Sequence, residues 1–341
     1  MARIILFAPN VHIGGGLVLL LPIIDSLRGS NALMILDWRA KSHYRDIDKQ
    51  LTMLVRPTIY SRLKAEFKLR RVSTDADIIL CFHSLPPILT TKSNIYIYLQ
   101  NKHFLFTPLW KHHATGAKVW LRILCEKIVL IIFYHRAKKI IVQTNSMKII
   151  ASTLFDNTVP IDVFPYAELN KSNIETSMKK NDFIYISHGS KHKNHSNLIL
   201  AWVLLAKRGI YPRLTLTINE TETNIMDLLY SSVAEFDVKI ETIGFLNHSE
   251  IYKECSMSCA LIFPSFTESF GLPLIEADSV GLPIIAPELD YVRDVCRPVE
   301  TFDPHSPISI MRAVLRFMDI KEELPKIGSP DEFVEYLRGD L

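Results

Sequence analysis

Apolar residues along the chain come in short blocks, and the blocks recur in a regular order. Arg3–Ala8 (Arg-Ile-Ile-Leu-Phe-Ala) has the unbroken apolar character of a buried strand. Pro9–Gly16 reads as a loop ending in three glycines, and Leu17 to about Arg28 as an apolar helix. A second strand is predicted at Ala32–Asp37. Strand, glycine-rich turn, helix and strand are the opening of a parallel α/β unit. Further strands are predicted at Asp77–Phe82, Ile95–Leu99, Lys139–Gln143 and Asp162–Phe164. Their continuous apolar runs suit a sheet covered by helices on both faces.

The polar stretch Ala167–Asp182 interrupts this grammar and reads as a linker, after which the pattern restarts. Strands are predicted at Phe183–Ser187, Leu214–Ile218, Lys239–Ile243, Ala260–Phe263 and Pro283–Ala286. Helices are predicted near 195–207, 222–235, 248–255, 271–280 and 307–318. The fold class is therefore α/β, with two doubly wound Rossmann-like domains. The expected boundaries are 1–165 for the first domain, 166–182 for the linker and 183–320 for the second domain. Residues 321–341 form a tail with a helix expected near 331–339. A length of 341 residues fits two domains at roughly 150 residues each.

Chemistry concentrates after the predicted strand Ala260–Phe263, in Pro264-Ser-Phe-Thr-Glu268-Ser-Phe-Gly271-Leu-Pro-Leu-Ile-Glu276. In an open α/β sheet, ligands bind beyond the carboxyl ends of the strands. Glu268 falls on that loop, and Gly271 permits close backbone approach. The helix starting there offers free N–H groups and a positive dipole end, a seat for phosphate. Glu276 offers two acceptor oxygens suited to sugar hydroxyls. A second cluster, His188-Gly-Ser-Lys-His192-Lys193-Asn194-His195, follows the first strand of the second domain. The three histidines lack a carboxylate at ligand spacing, so a metal centre is not expected. Gly14-Gly15-Gly16 lacks the third glycine of a dinucleotide fingerprint and the Lys-Ser/Thr of a P-loop, and marks a tight turn.

The stretch from Glu268 to Glu276 resembles the E-x7-E motif of the retaining GT-B glycosyltransferases called glycosyltransferase group 1. Its surroundings match as well: Gly244-Phe-Leu, Ala260-Leu-Ile-Phe-Pro-Ser, Asp278-Ser-Val-Gly281-Leu-Pro283 and Phe302-Asp-Pro304. The resemblance implies two facing domains with a cleft between them, the first for the acceptor and the second for the sugar nucleotide. It implies that Glu268 meets the donor sugar, that Glu276 holds the ribose, and that the amides of Ser269, Phe270, Gly271 and Leu272 hold the diphosphate. It implies that Lys193, with Asn194, stabilises the leaving diphosphate, and that Gly14, Gly15 and Gly16 face it across the cleft. It also implies chemistry without a catalytic metal or a cofactor beyond a UDP- or GDP-linked donor, and a tail helix packing back on the first domain. Two positions depart from the family pattern. His188 stands where an arginine is common, and Gln100 where a histidine is common, leaving His103 as a shifted acceptor-side candidate or a surface residue.

Charge sharpens the picture. Residues 1–139 carry 21 Lys+Arg against 8 Asp+Glu, a net +13, while 140–341 carry 18 against 28, a net −10. The first half therefore suits an anionic partner. No recognition helix, aromatic nucleic-acid motif or zinc finger supports nucleic acid. Lys118–Arg136 combines cations with Trp120, Leu121, Leu124 and Ile128, and reads either as an interfacial helix or as a buried one. No apolar run approaches the ~20 residues needed to cross a bilayer. Asn10 and His12 interrupt the N-terminal apolar run, and no small-residue cleavage pattern follows, which argues against a signal peptide. The five cysteines include no C-x-x-C pair, which suggests reduced thiols in a cytosol. The expectation is a cytoplasmic hexosyltransferase, peripheral at the inner face of the membrane. It would act on a glycan or lipid-diphosphate-linked acceptor in bacterial lipopolysaccharide, O-antigen or capsule assembly. The alternatives are a catalytically silent scaffold on the same fold, or a sugar-nucleotide epimerase.

Overall fold

The computed structural model describes residues 3–45, 47–89, 91–105, 117–167 and 182–322. The expected tail helix, and all of the linker between 168 and 181, lie outside the described residues. The first domain contains β1 (Ile4–Ala8), α1 (Gly14–Ser26), β2 (Leu33–Asp37), β3 (Thr52–Val55), α2 (Ile59–Val72), β4 (Ile78–Cys81) and β5 (Asn94–Leu99). It continues with α3 (Ala117–Phe133), β6 (Ala137–Val142), α4 (Asn145–Leu154) and β7 (Ile161–Val163). All its strands are parallel, in the order β3-β2-β1-β4-β5-β6-β7.

The second domain contains β8 (Asp182–Tyr185), α5 (His195–Ala206), β9 (Arg213–Leu216), α6 (Thr223–Phe236), β10 (Ile240–Thr242), α7 (His248–Met257) and β11 (Ala260–Ile262). It continues with α8 (Leu272–Ser279), β12 (Ile284–Pro287), α9 (Asp290–Arg293), β13 (Glu300–Phe302) and α10 (Pro307–Phe317). Its sheet is also parallel, in the order β10-β9-β8-β11-β12-β13. In both sheets the order reverses beside the domain's first strand, which opens a crevice at the carboxyl ends of the strands there.

Side chains that alternate along a strand separate onto the two faces of the first sheet. Ile5 and Phe7 join Ile35, Ile79, Ile97 and residues of α2, α3 and α4 in one core. Leu6 and Ala8 join α1, Phe82 and Tyr98 in the other. Right-handed crossovers require this division, because α1 returns leftward from β1 whereas α2, α3 and α4 return rightward. The second domain closes around one larger core that includes Trp202, Tyr185 and Phe263.

Several expectations are corrected. Helix α1 begins at Gly14, three residues early, so the three glycines are its first turn rather than loop. Strands β3 and β13 and helices α2, α4 and α9 were not expected. In α2 the inner face is only Ala65, Glu66 and Leu69, while Ile59, Tyr60, Leu63 and Phe67 are exposed. Its apolar residues therefore do not mark its buried side, and hydrophobic periodicity does not reveal it. All five cysteines are free, and Cys81, Cys255, Cys259 and Cys296 are buried. Among the described residues, no helix is long and apolar enough to cross a membrane.

Trp202 is fully buried, meets Phe183 edge-on and donates its indole N–H to the Pro212 carbonyl at 2.9 Å. Trp202→Ala is expected to destabilise the second domain by about 3–5 kcal/mol. Urea unfolding followed by circular dichroism tests this, and a loss below about 1 kcal/mol would contradict the packing described.

Candidate active site

The site is built where the loops after β8 and β11 meet. Asn194 adopts a left-handed backbone (φ 61°, ψ 33°) between a short 3-10 turn at Lys191–Lys193 and α5. Its side-chain amide donates to the Pro264 carbonyl at 3.0 Å and the Pro304 carbonyl at 2.7 Å. Tyr185 donates its hydroxyl to the Lys193 carbonyl at 2.7 Å and lies 3.1 Å from Ser265 Oγ. The Phe266 N–H donates to the His192 carbonyl at 2.9 Å, and the Tyr291 hydroxyl to the Ser265 carbonyl at 2.7 Å. Six bonds thus tie the two loops together and to their supports, which fixes the backbone from which Lys193 and Glu268 project.

Lys193 Nζ lies 2.6 Å from Glu268 Oε1, with side chains only 9% and 12% exposed. This is a partly desolvated, charge-assisted bond. Beyond it, the amides of Ser269, Phe270, Gly271 and Leu272 have no hydrogen-bond partner among the described residues. Gly271, with φ 74°, is the residue before α8, and a Cβ there would meet Leu274 Cδ1 at 3.1 Å. Only glycine fits that position without strain. Glu276 is 5% exposed on the buried side of α8; burial first, and then the Glu276 charge, push up the Cys255 thiol on α7. The chain therefore brings Lys193, Glu268 and the 269–272 amides together, with Glu276 deeper and Asn194 committed to carbonyls.

His188 stands beside this pair. Burial and the neighbouring Lys193 lower its pKa, while Glu268 and Glu222 oppose the shift. It is therefore neutral near pH 7, which leaves Lys193 facing Glu268 without a second charged partner from His188. Gly189 packs against Glu222, since a Cβ would come within 2.5 Å of that carboxyl group. Among the described residues, no three His, Cys, Asp or Glu side chains form a metal-holding group.

The first domain supplies the opposite wall. The helical first turn at Gly14–Gly16 faces α8: a Cβ on Gly15 would lie 3.5 Å from Leu272 Cδ1. A Cβ on Gly16 would lie 3.3 Å from Gln100 Oε1. Gln100 is held by its own amide, which donates to the Phe82 carbonyl at 2.8 Å. His103 belongs to the short turn Lys102–Phe104, but its side chain lies outside the described residues. The Lys102 N–H donates to Ser269 Oγ at 3.1 Å. Phe270 is buried in the same cluster as Leu6, Val11, Leu17 and Tyr98 of the first domain. That interdomain role of the Phe270 ring, and the Lys102–Ser269 bond, were not evident from sequence, because both depend on contacts more than 160 residues apart. His83, after β4 and 3.0 Å from Arg62 Nη2, also sits at this edge and was missed. It follows directly on the apolar strand segment ending in Phe82, with no recognisable motif around it.

Residues 167–330 match the family model of glycosyl transferases group 1. That match spans the second domain, just under half of the chain. An uncharacterized glycosyltransferase of Haemophilus influenzae is 25% identical over 261 residues, covering 75% of this chain and 65% of that relative. The chain thus matches just under two thirds of that relative's length. Across the two described domains the fold is that of GT-B glycosyltransferases. Sucrose-phosphate synthase from Thermosynechococcus elongatus aligns at a TM-score of 0.67 with 14% identity, covering 94% of this chain and 90% of its own. The lipopolysaccharide outer core galactosyltransferase WaaB aligns at 0.63 with 14% identity, covering 95% and 92%. Anabaena Alr3699/HepE, solved with UDP and glucose, aligns at 0.62 with 15% identity, covering 92% and 88%.

His195, at the start of α5, places Nε2 3.1 Å from Ser187 Oγ, and its pKa is pushed down to about 3 by burial and then by Lys193. In the unfolded chain it takes up its proton near the ordinary value of about 6.5. The unfolded state thus binds more protons below that pH, so stability present above about pH 6.5 is lost as pH falls toward 3. Calorimetry should show the second domain's melting temperature falling over this window in the native chain. His195→Gln, which cannot protonate, should flatten the slope, and an equal slope in both proteins would refute the assignment.

Proposed function

We propose that the protein is a retaining hexosyltransferase that moves a sugar from a nucleotide donor to a glycan or lipid-diphosphate-linked acceptor. The observation that carries this is the buried Lys193–Glu268 pair beside four amides without a partner among the described residues, facing the glycine turn of the other domain. When the bond between the sugar and the diphosphate breaks, negative charge grows on the departing phosphate. Lys193 and the 269–272 amides are preorganised to meet that charge. Glu268 keeps Lys193 in place before the donor arrives, and its second oxygen is available to a sugar hydroxyl. Glu276 is proposed to take the ribose. Positive charge for the diphosphate comes from this cation and these dipoles, so no metal and no further cofactor are assigned. With His188 neutral, the expected second cation is replaced by amides alone.

UDP is the first donor to try, because Anabaena HepE, the pneumococcal transferase GtfA and Staphylococcus aureus TarM were all solved with UDP. GDP is the second. The acceptor is placed on the first domain, whose net charge of +13 over residues 1–139 suits an anionic, lipid-linked glycan. This is consistent with work at the cytoplasmic face of a bacterial membrane in surface polysaccharide assembly.

Two measurements test the reading. A thermal-shift panel of nucleoside diphosphates should stabilise the protein selectively with UDP or GDP, and Lys193→Met should remove most of that shift. Glu268→Gln should lower transfer by at least about a hundredfold, the scale of losing one preorganised electrostatic contact. A panel with no response, or a Glu268→Gln protein as active as the native one, would overturn it. Release of an epimerised sugar nucleotide without an acceptor would reassign the activity.

A further inference from the structure

The solvent faces of α2 and α3 have an inverted composition. On α2 the outward positions are Tyr60, Leu63, Lys64, Phe67, Arg70 and Arg71, which follow one another at helical spacing. Tyr60 is 78% exposed and Phe67 60%, and Ile59 beside them is more exposed still. On α3 the outward positions include Leu121, Arg122, Cys125, Ile128, Ile131 and Ile132. The acids turn the other way. Glu66 is fully buried, and Glu126 is half-buried and paired with Arg122 at 4.0 Å. Lys64, Lys68, Arg70 and Arg71 have no acidic partner among the described residues.

The two helices form one surface. Both pack on the same face of the first sheet, and the charges of Arg62 on α2 and Glu126 on α3 act on each other. Helix α2 also starts at the carboxyl edge of the sheet, just after β3, the edge that carries Gly14–Gly16 and Gln100. The exposed Ile59 and Tyr60 therefore sit at that carboxyl edge. α3 keeps only Lys127 and Leu130 buried among its described side chains, so the interfacial alternative for this segment gains support over the buried one.

We propose that this α2–α3 face docks onto an anionic lipid bilayer. Large apolar side chains standing in solvent on neighbouring helices mark a binding surface rather than scattered exposure. Cations interspersed with aromatic and aliphatic residues match the headgroup region, where apolar groups insert and cations meet phosphate. A second copy of the chain is the poorer occupant, because it would bring the same uncompensated cations against this face. Docked this way, the protein holds its cleft at the lipid surface, where a lipid-linked acceptor would present its glycan. That last consequence rests on the proposed transfer reading, but the docking itself does not.

The test is co-sedimentation of the full chain with vesicles of phosphatidylcholine, with or without phosphatidylglycerol, in the absence of donor and acceptor. The native protein should bind the anionic vesicles, bind neutral ones far less, and release as salt is raised. Each cation removed should lower the partition about fivefold, so Lys64→Gln with Arg71→Gln should lose more than tenfold. Phe67→Ser with Ile128→Ser should also lose binding, while Ile308→Ser, an exposed site on the second domain, should not. All these positions are exposed, and circular dichroism should be unchanged. Native protein that stays in the supernatant with both vesicles, or variants that bind as well as native, would overturn the proposal. So would a dimer in solution that Phe67→Ser converts to monomer, which would assign the face to a second copy.

Discussion

The cleft side of the second domain hangs on the junction between the loops after β8 and β11. Asn194 can hold its left-handed turn because its amide reaches two carbonyls from distant parts of the chain, Pro264 and Pro304. Tyr185 stitches the same junction from below through Lys193 and Ser265. The ammonium of Lys193 is largely withdrawn from water, so it needs the Glu268 carboxylate at 2.6 Å. A buried charge left without its partner costs several kcal/mol. That pair is therefore both a product of the loop geometry and a condition for it.

The second organising contact is apolar. Phe270 leaves its own domain's core and enters the cluster of Leu6, Val11, Leu17 and Tyr98. Its insertion sits one residue from the Ser269 hydroxyl that accepts the Lys102 N–H, and two from Leu272, which faces Gly15. The segment whose amides are open to a ligand is thus the same segment that touches the other domain. A ligand held on those amides and the approach of the first domain would therefore act on the same four residues, 269–272.

Charge is divided along the molecule in a way that composition averages hide. On α2 and α3 the first domain sets Lys64, Arg70, Arg71 and Arg122 among exposed aromatic and aliphatic residues, while Glu66 is buried and Glu126 half-buried. At the second domain's site Lys193 is held against Glu268, while burial and the neighbouring Lys193 lower the pKa of His188. One domain therefore presents a broad, salt-sensitive field, and the other a short-range, desolvated one.

The sequence by itself determined the two-domain α/β architecture, the strands that carry the site, and the local motif from Glu268 to Gly271. These are readable because buried parallel strands are continuous apolar runs and because glycine at a positive φ leaves a local mark. It also placed Lys193 after the first strand of the second domain. What only the tertiary structure decided is which groups meet. The Lys193–Glu268 bond spans 75 residues, and the Lys102–Ser269 bond spans 167. The commitment of Asn194 to two carbonyls, the burial of Glu276 and the neutrality of His188 follow from such long-range neighbours. Helix α2 escaped detection for the opposite reason: its apolar residues face out, so periodicity, which reports the side turned toward a core, had little to report.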